Sequence, residues 1–221
     1  LQHAGRSEYA GQDPLAPLIT LQAGVGLPLF CLPPADGLAW CYLGLARFLP
    51  EVALLALQAP GLSGPPRASF DALIEHYLRL ILNTQQRGPY RLLGWSSGGG
   101  VAHELACRLE QRGEAVSFVA MLDAFPSDIW QGKPDPTERD AWVSMLDEAD
   151  ASALIAARTL PPANELIALV KRPGSSLAEF DDATLLRMCQ VALDSMCSYR
   201  TARHGRLNAE ALFFRAARRS P

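Results

Sequence analysis

The stretch that decides the fold is Tyr90-Arg-Leu-Leu-Gly-Trp-Ser-Ser-Gly-Gly-Gly100. It contains the G-x-S-x-G pattern with Ser96 at its centre, placed where an apolar strand ends and an amphipathic helix begins. Glycine is needed two residues either side of such a serine, because the strained turn brings neighbouring backbone too close for side chains. The turn leaves the serine hydroxyl clear of the sheet, at a helix N-terminus whose dipole favours developing negative charge. The pattern therefore predicts that Ser96 is a catalytic nucleophile.

Two other interpretations of this segment stay open. One is a turn rich in glycine and serine that has no chemistry, which the flanking strand and helix patterns make less favoured. The other is a phosphate-binding loop, but the segment lacks the G-K-S/T ending and the glycine spacing of G-x-G-x-x-G. A strand-to-helix turn that presents a serine is the better interpretation.

Around this stretch, short apolar runs alternate with helical patterns. The alternation predicts strands at 28–32, 52–58, 90–94 and 116–122 and helices at 38–49, 69–84 and 97–112. Strands that alternate with helices form a mostly parallel sheet with helices on both faces, so we expect an α/β fold. Residues 124 to about 180 break the pattern with several prolines, which predicts an insertion of helices over the sheet. A longer helix to about residue 203 and a strand at 209–214 follow.

The composition excludes several classes of protein. With 49% hydrophobic and 19% charged residues, the 221-residue chain can bury a core and should form one globular domain. A net charge of -3, from 20 basic and 23 acidic residues, offers no cationic surface for nucleic acid. The apolar runs are too short to cross a membrane, and the first residues show no signal peptide. The five scattered cysteines fit neither a disulfide framework nor a metal site, and they predict reduced thiols in a cytoplasmic protein.

The strand that follows the serine helix ends in a carboxylate. Asp123 comes directly after the apolar run 118–122, so it should stand at the carboxyl edge of the sheet beside Ser96, where ligands bind in open α/β sheets. An activated serine needs a base and an acid that orients the base, and Asp123 is predicted to be that acid. The alternative is an aspartate that starts a turn before Pro126.

The loop after the first of these predicted strands is a candidate for binding an oxyanion. An acyl-transfer site uses two N–H donors, and we predict that the backbone amides of Ala35 and Ser97 fill this role. Pro33 and Pro34 in the same loop have no N–H and are excluded as donors. An ordinary strand-to-helix turn is the alternative interpretation of the loop.

Several stretches share their joint spacing with one family. They are Leu29-Phe-Cys-Leu-Pro-Pro-Ala-Asp-Gly-Leu-Ala-Trp40, Gly88-Pro-Tyr-Arg-Leu-Leu-Gly-Trp-Ser-Ser-Gly-Gly99, Glu104-Leu-Ala, Leu109-Glu-Gln-Arg-Gly113 and Met121-Leu-Asp-Ala-Phe-Pro126. Together they resemble the thioesterase domains that end nonribosomal peptide synthetases, with the polyketide synthase versions as near relatives. The resemblance implies an α/β-hydrolase fold, Ser96 as the nucleophile, Asp123 as the triad acid and a helical lid over about 127–203.

By the same resemblance, the expected reaction is the release of a finished acyl or peptidyl chain. The chain passes from the phosphopantetheine thiol of a carrier protein to the serine, and then to water or to an internal amine or hydroxyl, by hydrolysis or macrocyclisation. The domain itself is expected to bind no cofactor and no metal, and its partner is an upstream carrier domain. Residues 1–26, rich in glycine, proline and alanine, are predicted to be the linker from that carrier, and residues 27–221 the thioesterase domain.

The base of the triad is missing from the position that the resemblance implies. The family places its histidine in a loop after the final strand, and none of the four histidines lies there: His3, His76, His103 and His204. His103 is about 10 Å along the predicted helix from the serine, so it is expected to be structural. His204 is the one rival for the base with the right order along the chain, but it precedes the last strand and is expected at the opposite edge of the sheet. We expect the base to lie beyond Pro221, in a C-terminal segment that the sequence lacks.

Two alternative functions stay open. One is a free-standing editing thioesterase or small-molecule esterase, although the linker-like start favours a domain within a longer protein. The other is a catalytically inactive hydrolase-fold module that binds an acyl-carrier partner, which the missing base would explain.

Overall fold

The computed structural model describes residues 13–67 and 69–217. Its strands are β1 Leu18–Gln22, β2 Leu29–Leu32, β3 Leu54–Leu57, β4 Tyr90–Trp95, β5 Val116–Leu122 and β6 Glu210–Phe214. They form one sheet in the order β1-β3-β2-β4-β5-β6. β1 runs antiparallel to β3, and every other neighbouring pair of strands in this sheet is parallel. Parallel neighbours require crossover connections, which bring helices onto the faces of the sheet.

Helices cover both faces of the sheet. The α-helices are α1 Pro60–Ser63, α2 Phe70–Thr84, α3 Ser97–Gln111, α4 Glu138–Val143, α5 Glu148–Ala156, α6 Ala163–Val170 and α7 Asp182–Arg200, and 3₁₀ segments span Ala39–Phe48 and Ser127–Trp130. α2 and α3 pack against one face of the sheet, and the first 3₁₀ segment packs against the other. The prediction of a mostly parallel sheet with helices on both faces is therefore confirmed.

The strand side chains explain how this two-sided core forms. In β4, Leu92 belongs to the core beneath α2 and α3, whereas Leu93 belongs to the core on the opposite face. The β5 residues Val119 and Ala120 pair in register with them and divide between the two cores in the same way. Because successive side chains of a strand point to opposite faces, a strand buried on both faces needs an almost continuous apolar sequence.

Between β5 and β6 the chain leaves the sheet and forms α4 to α7. These helices share a hydrophobic core that includes the fully buried side chain of Trp142. The side chains of Asp147 and Asp181 accept backbone N–H groups of the first turns of α5 and α7, so local capping defines where these helices begin. Helices thus occupy the region predicted to insert after β5, and Trp142 contributes to their packing.

The edge strand β1 corrects part of the predicted linker over residues 1–26. Leu18 and Ile19 pair with β3, and Ile19 and Leu21 are at most 2% exposed. The linker prediction is wrong here because the alternating apolar residues are few and stand between prolines and glycines, which are typical of loops. Residues 1–12 of the predicted linker lie outside the described residues.

The segment predicted as a helix at 38–49 is wound more tightly than an α-helix. It forms the 3₁₀ segment Ala39–Phe48, which buries Ala39 and Tyr42 against the sheet. Gly44 in its middle disfavours a regular α-helix.

Among the residues that the structure describes, no helix has the length and apolar character needed to span a bilayer.

Candidate active site

The turn between β4 and α3 holds Ser96 in a strained backbone conformation. Its φ of 54° and ψ of -128° lie outside the regions that residues with a side chain normally adopt. Such a conformation costs about 1–3 kcal/mol and persists only where the surrounding structure imposes it. Here the N–H of Ser96 donates to the carbonyl of Leu122 at 2.9 Å, and the carbonyl of Ser96 accepts the N–H of Gly99 at 3.0 Å. These bonds join the turn to β5 and to the first turn of α3.

Two glycines flank the serine because neighbouring backbone leaves no room for a side chain. A Cβ atom at Gly94 would lie 2.0 Å from the carbonyl oxygen of Gly98. A Cβ atom at Gly98 would lie 2.6 Å from the carbonyl oxygens of Leu32 and Pro33, at the end of β2. The prediction that the turn needs glycine two residues either side of Ser96 is confirmed, and it follows from backbone contact on both sides.

The next two glycines let α3 approach the structure around it. A Cβ atom at Gly99 would lie 2.4 Å from the Cβ of Ala124, and one at Gly100 would lie 1.9 Å from the hydroxyl oxygen of Tyr199 on α7. That hydroxyl donates to the carbonyl of Phe125 at 2.7 Å. Tyr199 therefore links α7 to the loop after β5, directly beside the start of α3.

Asp123 lies at the same edge of the sheet as Ser96. The last residues of β4 and β5, Trp95 and Leu122, are paired in register, so Ser96 and Asp123 follow neighbouring strands at the same level. Asp123 also has a positive φ, 43°, and its N–H donates to the carbonyl of Phe214 at 2.6 Å. One carboxylate oxygen accepts the N–H of Ala216 at 3.3 Å. The predicted placement of Asp123 beside the serine turn is confirmed.

The two predicted oxyanion donors come from neighbouring segments. Ser97 is the first residue of α3, where a helix leaves its N–H groups without partners inside the helix. Ala35 lies in the loop after β2, which Gly98 approaches closely. The loop is held by the N–H of Gly37, which donates to the carbonyl of Pro34 at 3.0 Å. Among the described residues, no acceptor is bonded to the amide of Ala35 or of Ser97.

A small cavity adjoins the first turn of α3. Pro33 and Pro34 of the loop after β2 lie on one side of it, and Ser97 and Val101 of α3 lie on another. Tyr199 of α7 also contributes to the wall. The loop that carries Ala35 and the helix that begins at Ser97 therefore border one largely apolar space.

The sequence and the fold of this chain have counterparts among known proteins. Residues 27–192 match the family model of the thioesterase domain. The chain belongs to the thioesterase domain family. A solved structure concerned with the cyclisation of the lipopeptide antibiotic surfactin, that of the thioesterase domain SrfTE, aligns with 92% of this chain and 75% of its own at a TM-score of 0.60 and 22% identity. The likeness shows that this thioesterase domain has an α/β-hydrolase fold.

Two relatives of the thioesterase domain are a peptide synthase and a component of another synthase. The dimodular nonribosomal peptide synthase of Bacillus subtilis (strain 168) is 32% identical over 213 residues, which cover 95% of this chain and 9% of that protein. Enterobactin synthase component F of Escherichia coli (strain K12) is 40% identical over 121 residues, which cover 52% of this chain and 9% of that protein. The chain thus spans 9% of the length of each of these relatives.

Three of the four histidines of the thioesterase domain fall within the described residues, and the structure places them away from the serine turn. His76 lies on α2, where its Nδ1 accepts from Arg67 at 3.0 Å. His103 and His204 lie beside each other, with ring centroids 5.7 Å apart. Within the described residues, no hydrogen bond joins these histidines to Ser96 or Asp123. His3 lies outside the described residues, and the position of the triad base stays a prediction.

Tyr42 is a residue of the site that the sequence patterns miss. Its hydroxyl donates to the carbonyl of Leu32 at 2.6 Å and accepts the N–H of Trp95 at 2.6 Å. It therefore joins the ends of β2 and β4, one residue before Ser96. A tyrosine in a short amphipathic segment has no local signal for this role, because both partners are distant in the chain.

Asp36 is the second residue that the patterns miss. It follows Ala35, and its Oδ1 accepts the N–H of Leu38 at 2.9 Å. Burial raises the pKa of Asp36 to about 6, against the opposing effect of that hydrogen bond. The loop after β2 therefore contains a carboxyl group that titrates close to neutral pH.

Proposed function

We propose that this thioesterase domain releases a finished acyl or peptidyl chain from the phosphopantetheine thiol of a carrier protein. The observation that carries the proposal is the strained turn at Ser96, held at the start of α3 by backbone contacts that exclude side chains at Gly94 and Gly98. Thioester cleavage through a covalent intermediate needs an exposed nucleophile held in this way. The two synthetase relatives favour a chain delivered on a carrier protein.

In the first step, the Oγ of Ser96 attacks the thioester carbonyl while a histidine base takes its proton. The amides of Ala35 and Ser97 stabilise the oxyanion of the tetrahedral intermediate. The carbon–sulfur bond then breaks, and the protonated base gives its proton to the leaving thiolate of the phosphopantetheine. Asp123 orients the base and stabilises its positive charge, and the chain is left as an ester on Ser96.

In the second step, water or an internal amine or hydroxyl of the chain attacks this ester. The base takes a proton from the incoming nucleophile, the same two amides hold the new oxyanion, and the bond to Ser96 breaks with return of the proton to Oγ. Attack by water releases a linear acid, and attack by an internal nucleophile releases a ring. No bound cofactor takes part, and the partner is a carrier domain upstream of the thioesterase domain.

The experiment uses the domain in its natural reading frame with an acyl-pantetheine thioester. Thiol release gives the turnover rate, and the mass of the intact protein reports the acyl-enzyme. Ser96→Ala should lower turnover by a factor of about 10⁴ or more and abolish the adduct, because no other group can replace the nucleophile. Ser117→Ala, which removes an exposed hydroxyl on β5, is the matched control and should leave both unchanged.

Each outcome assigns a function. An acyl adduct that survives in Ser96→Ala would exclude the serine as the nucleophile. A domain that binds the loaded carrier domain but neither acylates nor turns over would be the inactive carrier-binding module. Equal turnover of simple esters and of carrier-bound thioesters would favour a free-standing esterase.

A further inference from the structure

Three side chains with metal-binding atoms meet about two turns along α3 from the serine turn. One donor atom from each of His103, Glu104 and His204 lies within 4.8 Å of the other two. His103 and Glu104 are consecutive residues of α3, and His204 comes from the segment between α7 and β6. None of the three takes part in the proposed acyl transfer, and the cysteine and histidine spacing of the sequence does not predict their meeting.

His204 is enclosed without a hydrogen-bond partner. Its ring packs against Phe70, Tyr199 and His103 with centroid separations of 5.9, 5.7 and 5.7 Å. Both ring nitrogens are buried, and neither bonds to any residue that the structure describes. A buried polar group that lacks a partner destabilises the folded state. A metal ion that coordinates one of these nitrogens would supply a partner for it.

Glu104 places a carboxylate at the same point. It is 3% exposed, and its two oxygens accept the Nε of Arg108 at 2.7 Å and the N–H of Gly205 at 2.9 Å. Each carboxylate oxygen has two acceptor sites, so each retains one that these bonds do not use. The bond to Gly205 also holds the neighbouring His204 against α3.

The net charge around Glu104 is compatible with an added cation. Arg108 contacts Asp71 at 2.6 Å and Glu75 at 3.8 Å as well as Glu104, and Arg112 contacts Glu75 at 2.9 Å. This network contains two guanidinium groups and three carboxylates, so its formal charge is -1. The guanidinium of Arg108 therefore does not depend on Glu104 alone for its counter-charge.

Both imidazoles are suited to act as neutral ligands. A neutral imidazole has one ring nitrogen with a free lone pair, and His103 and His204 each supply one such ring to the cluster. The Sγ of Cys107, one turn further along α3, lies 3.8 Å from the Nδ1 of His103. Imidazole nitrogen and carboxylate oxygen are ligands that zinc accepts in proteins.

We propose that His103, Glu104 and His204 form a binding site for a divalent transition metal ion of the zinc class. Ligand atoms of a tetrahedral zinc ion, with bonds of about 2.0–2.1 Å, lie about 3.3 Å apart. The three donors need to close by no more than about 1.5 Å to reach this geometry. The ion would join α3, whose first turn follows Ser96, to the segment after α7.

The test is a titration of the metal-stripped protein, freed of any affinity tag, with Co²⁺ alone. We expect one equivalent to bind with the intense visible absorption of tetrahedral cobalt, to be displaced by Zn²⁺, and to raise the melting temperature in a way that EDTA reverses. His204→Gln should weaken binding at least about ten-fold. His76→Gln, which alters a partly buried histidine on α2 outside the cluster, should bind as the unaltered protein does.

If the circular dichroism spectrum shows that His204→Gln does not fold, His103→Gln provides an independent measurement. It is expected to weaken cobalt binding to a similar extent, because it removes a second ligand from the same ion. Absence of stoichiometric cobalt binding by the unaltered protein would overturn the proposal. The proposal would also be overturned if folded His103→Gln and His204→Gln both bound cobalt as the unaltered protein does, or if His76→Gln abolished cobalt binding.

Discussion

The first end of α3 and its second half are fastened to the rest of the molecule by opposite means. At the N-terminal end, Gly94 and Gly98 allow backbone to meet backbone with no space for a Cβ atom. In the second half, from the middle of the helix onward, the carboxylates of Glu104 and Glu110 reach to the chain after α7 and accept its N–H groups. The first end depends on the absence of side chains, and the second half depends on two particular side chains.

The C-terminal fastening also explains an acidic residue in an unusual place. Glu110 lies in the last turn of α3, where the helix dipole disfavours a negative charge. Its carboxylate accepts the backbone N–H of Asn208 at 2.9 Å, the side-chain amide of Asn208 at 3.0 Å and the N–H of Ala209 at 2.7 Å. Charge-assisted bonds of this kind outweigh a dipole effect of about 0.3–1 kcal/mol. Glu110 thereby sets the start of β6.

The largest effect is expected from Gly94→Ala at the first end. Its Cβ would meet the carbonyl of Gly98 at 2.0 Å, and neither backbone segment can move without disturbing the turn at Ser96. The free energy of unfolding should fall by at least about 3 kcal/mol, measured by urea denaturation. Gly64→Ala is the control, because its Cβ would lie 3.7 Å from the nearest atom, and its effect should stay below about 1 kcal/mol. If Gly94→Ala were as stable as Gly64→Ala, the first end of α3 would not depend on the absence of a side chain.

A smaller loss of stability is expected from Glu104→Ala in the second half of α3. The substitution leaves the N–H of Gly205 and the Nε of Arg108 without their buried acceptor. The unfolding free energy should fall by about 2–3 kcal/mol in buffer that contains EDTA. Glu104→Gln keeps one acceptor oxygen and should lose less, and Glu51→Ala, at an exposed position, should lose almost nothing. Equal stability of Glu104→Ala and Glu51→Ala would show that the second half of α3 is not held by this carboxylate.

The smallest effect concerns the loop that faces the first end of α3. Because burial raises the pKa of Asp36 to about 6, the folded protein binds more protons than the unfolded chain between the usual aspartate value and that pH. Stability from this group is therefore full at low pH and is lost as the pH rises through 6. Asp36→Asn, which keeps the acceptor for Leu38, should be more stable than the unaltered protein at pH 7 by on the order of 1–2 kcal/mol.

Melting temperatures of both proteins from pH 3 to pH 7 check this expectation. The difference should shrink as the pH falls and become small near pH 3, below the ordinary aspartate pKa, where the carboxyl of Asp36 is largely protonated in both the folded and the unfolded states. A difference in melting temperature that stays constant across the whole pH range would mean that the substitution acts through packing and that the pKa of the Asp36 carboxyl is not raised.

The placement of Ser96 and Asp123 at the carboxyl edge of the sheet could be predicted, because the sequence patterns that indicate it span only a few residues. The glycines around Ser96 and the position of Asp123 after an apolar strand follow from the backbone needs of a tight turn and from the two-residue period of a strand. β1 escaped prediction because a short edge strand between prolines and glycines has the composition of a loop. Tyr42 escaped because its two partners, Leu32 and Trp95, are joined to it only in the folded sheet.

The sequence by itself determined the α/β order of the elements and the kind of turn at Ser96, since both depend on neighbours a few residues apart. Only the tertiary structure decided that His204 and Gly205 would meet His103 and Glu104, which lie 101 residues earlier. No periodicity encodes such a meeting, because it depends on how α7 packs across the start of α3 at Gly100. Long-range contacts follow from the packing of whole elements, and the pattern of a single segment does not contain them.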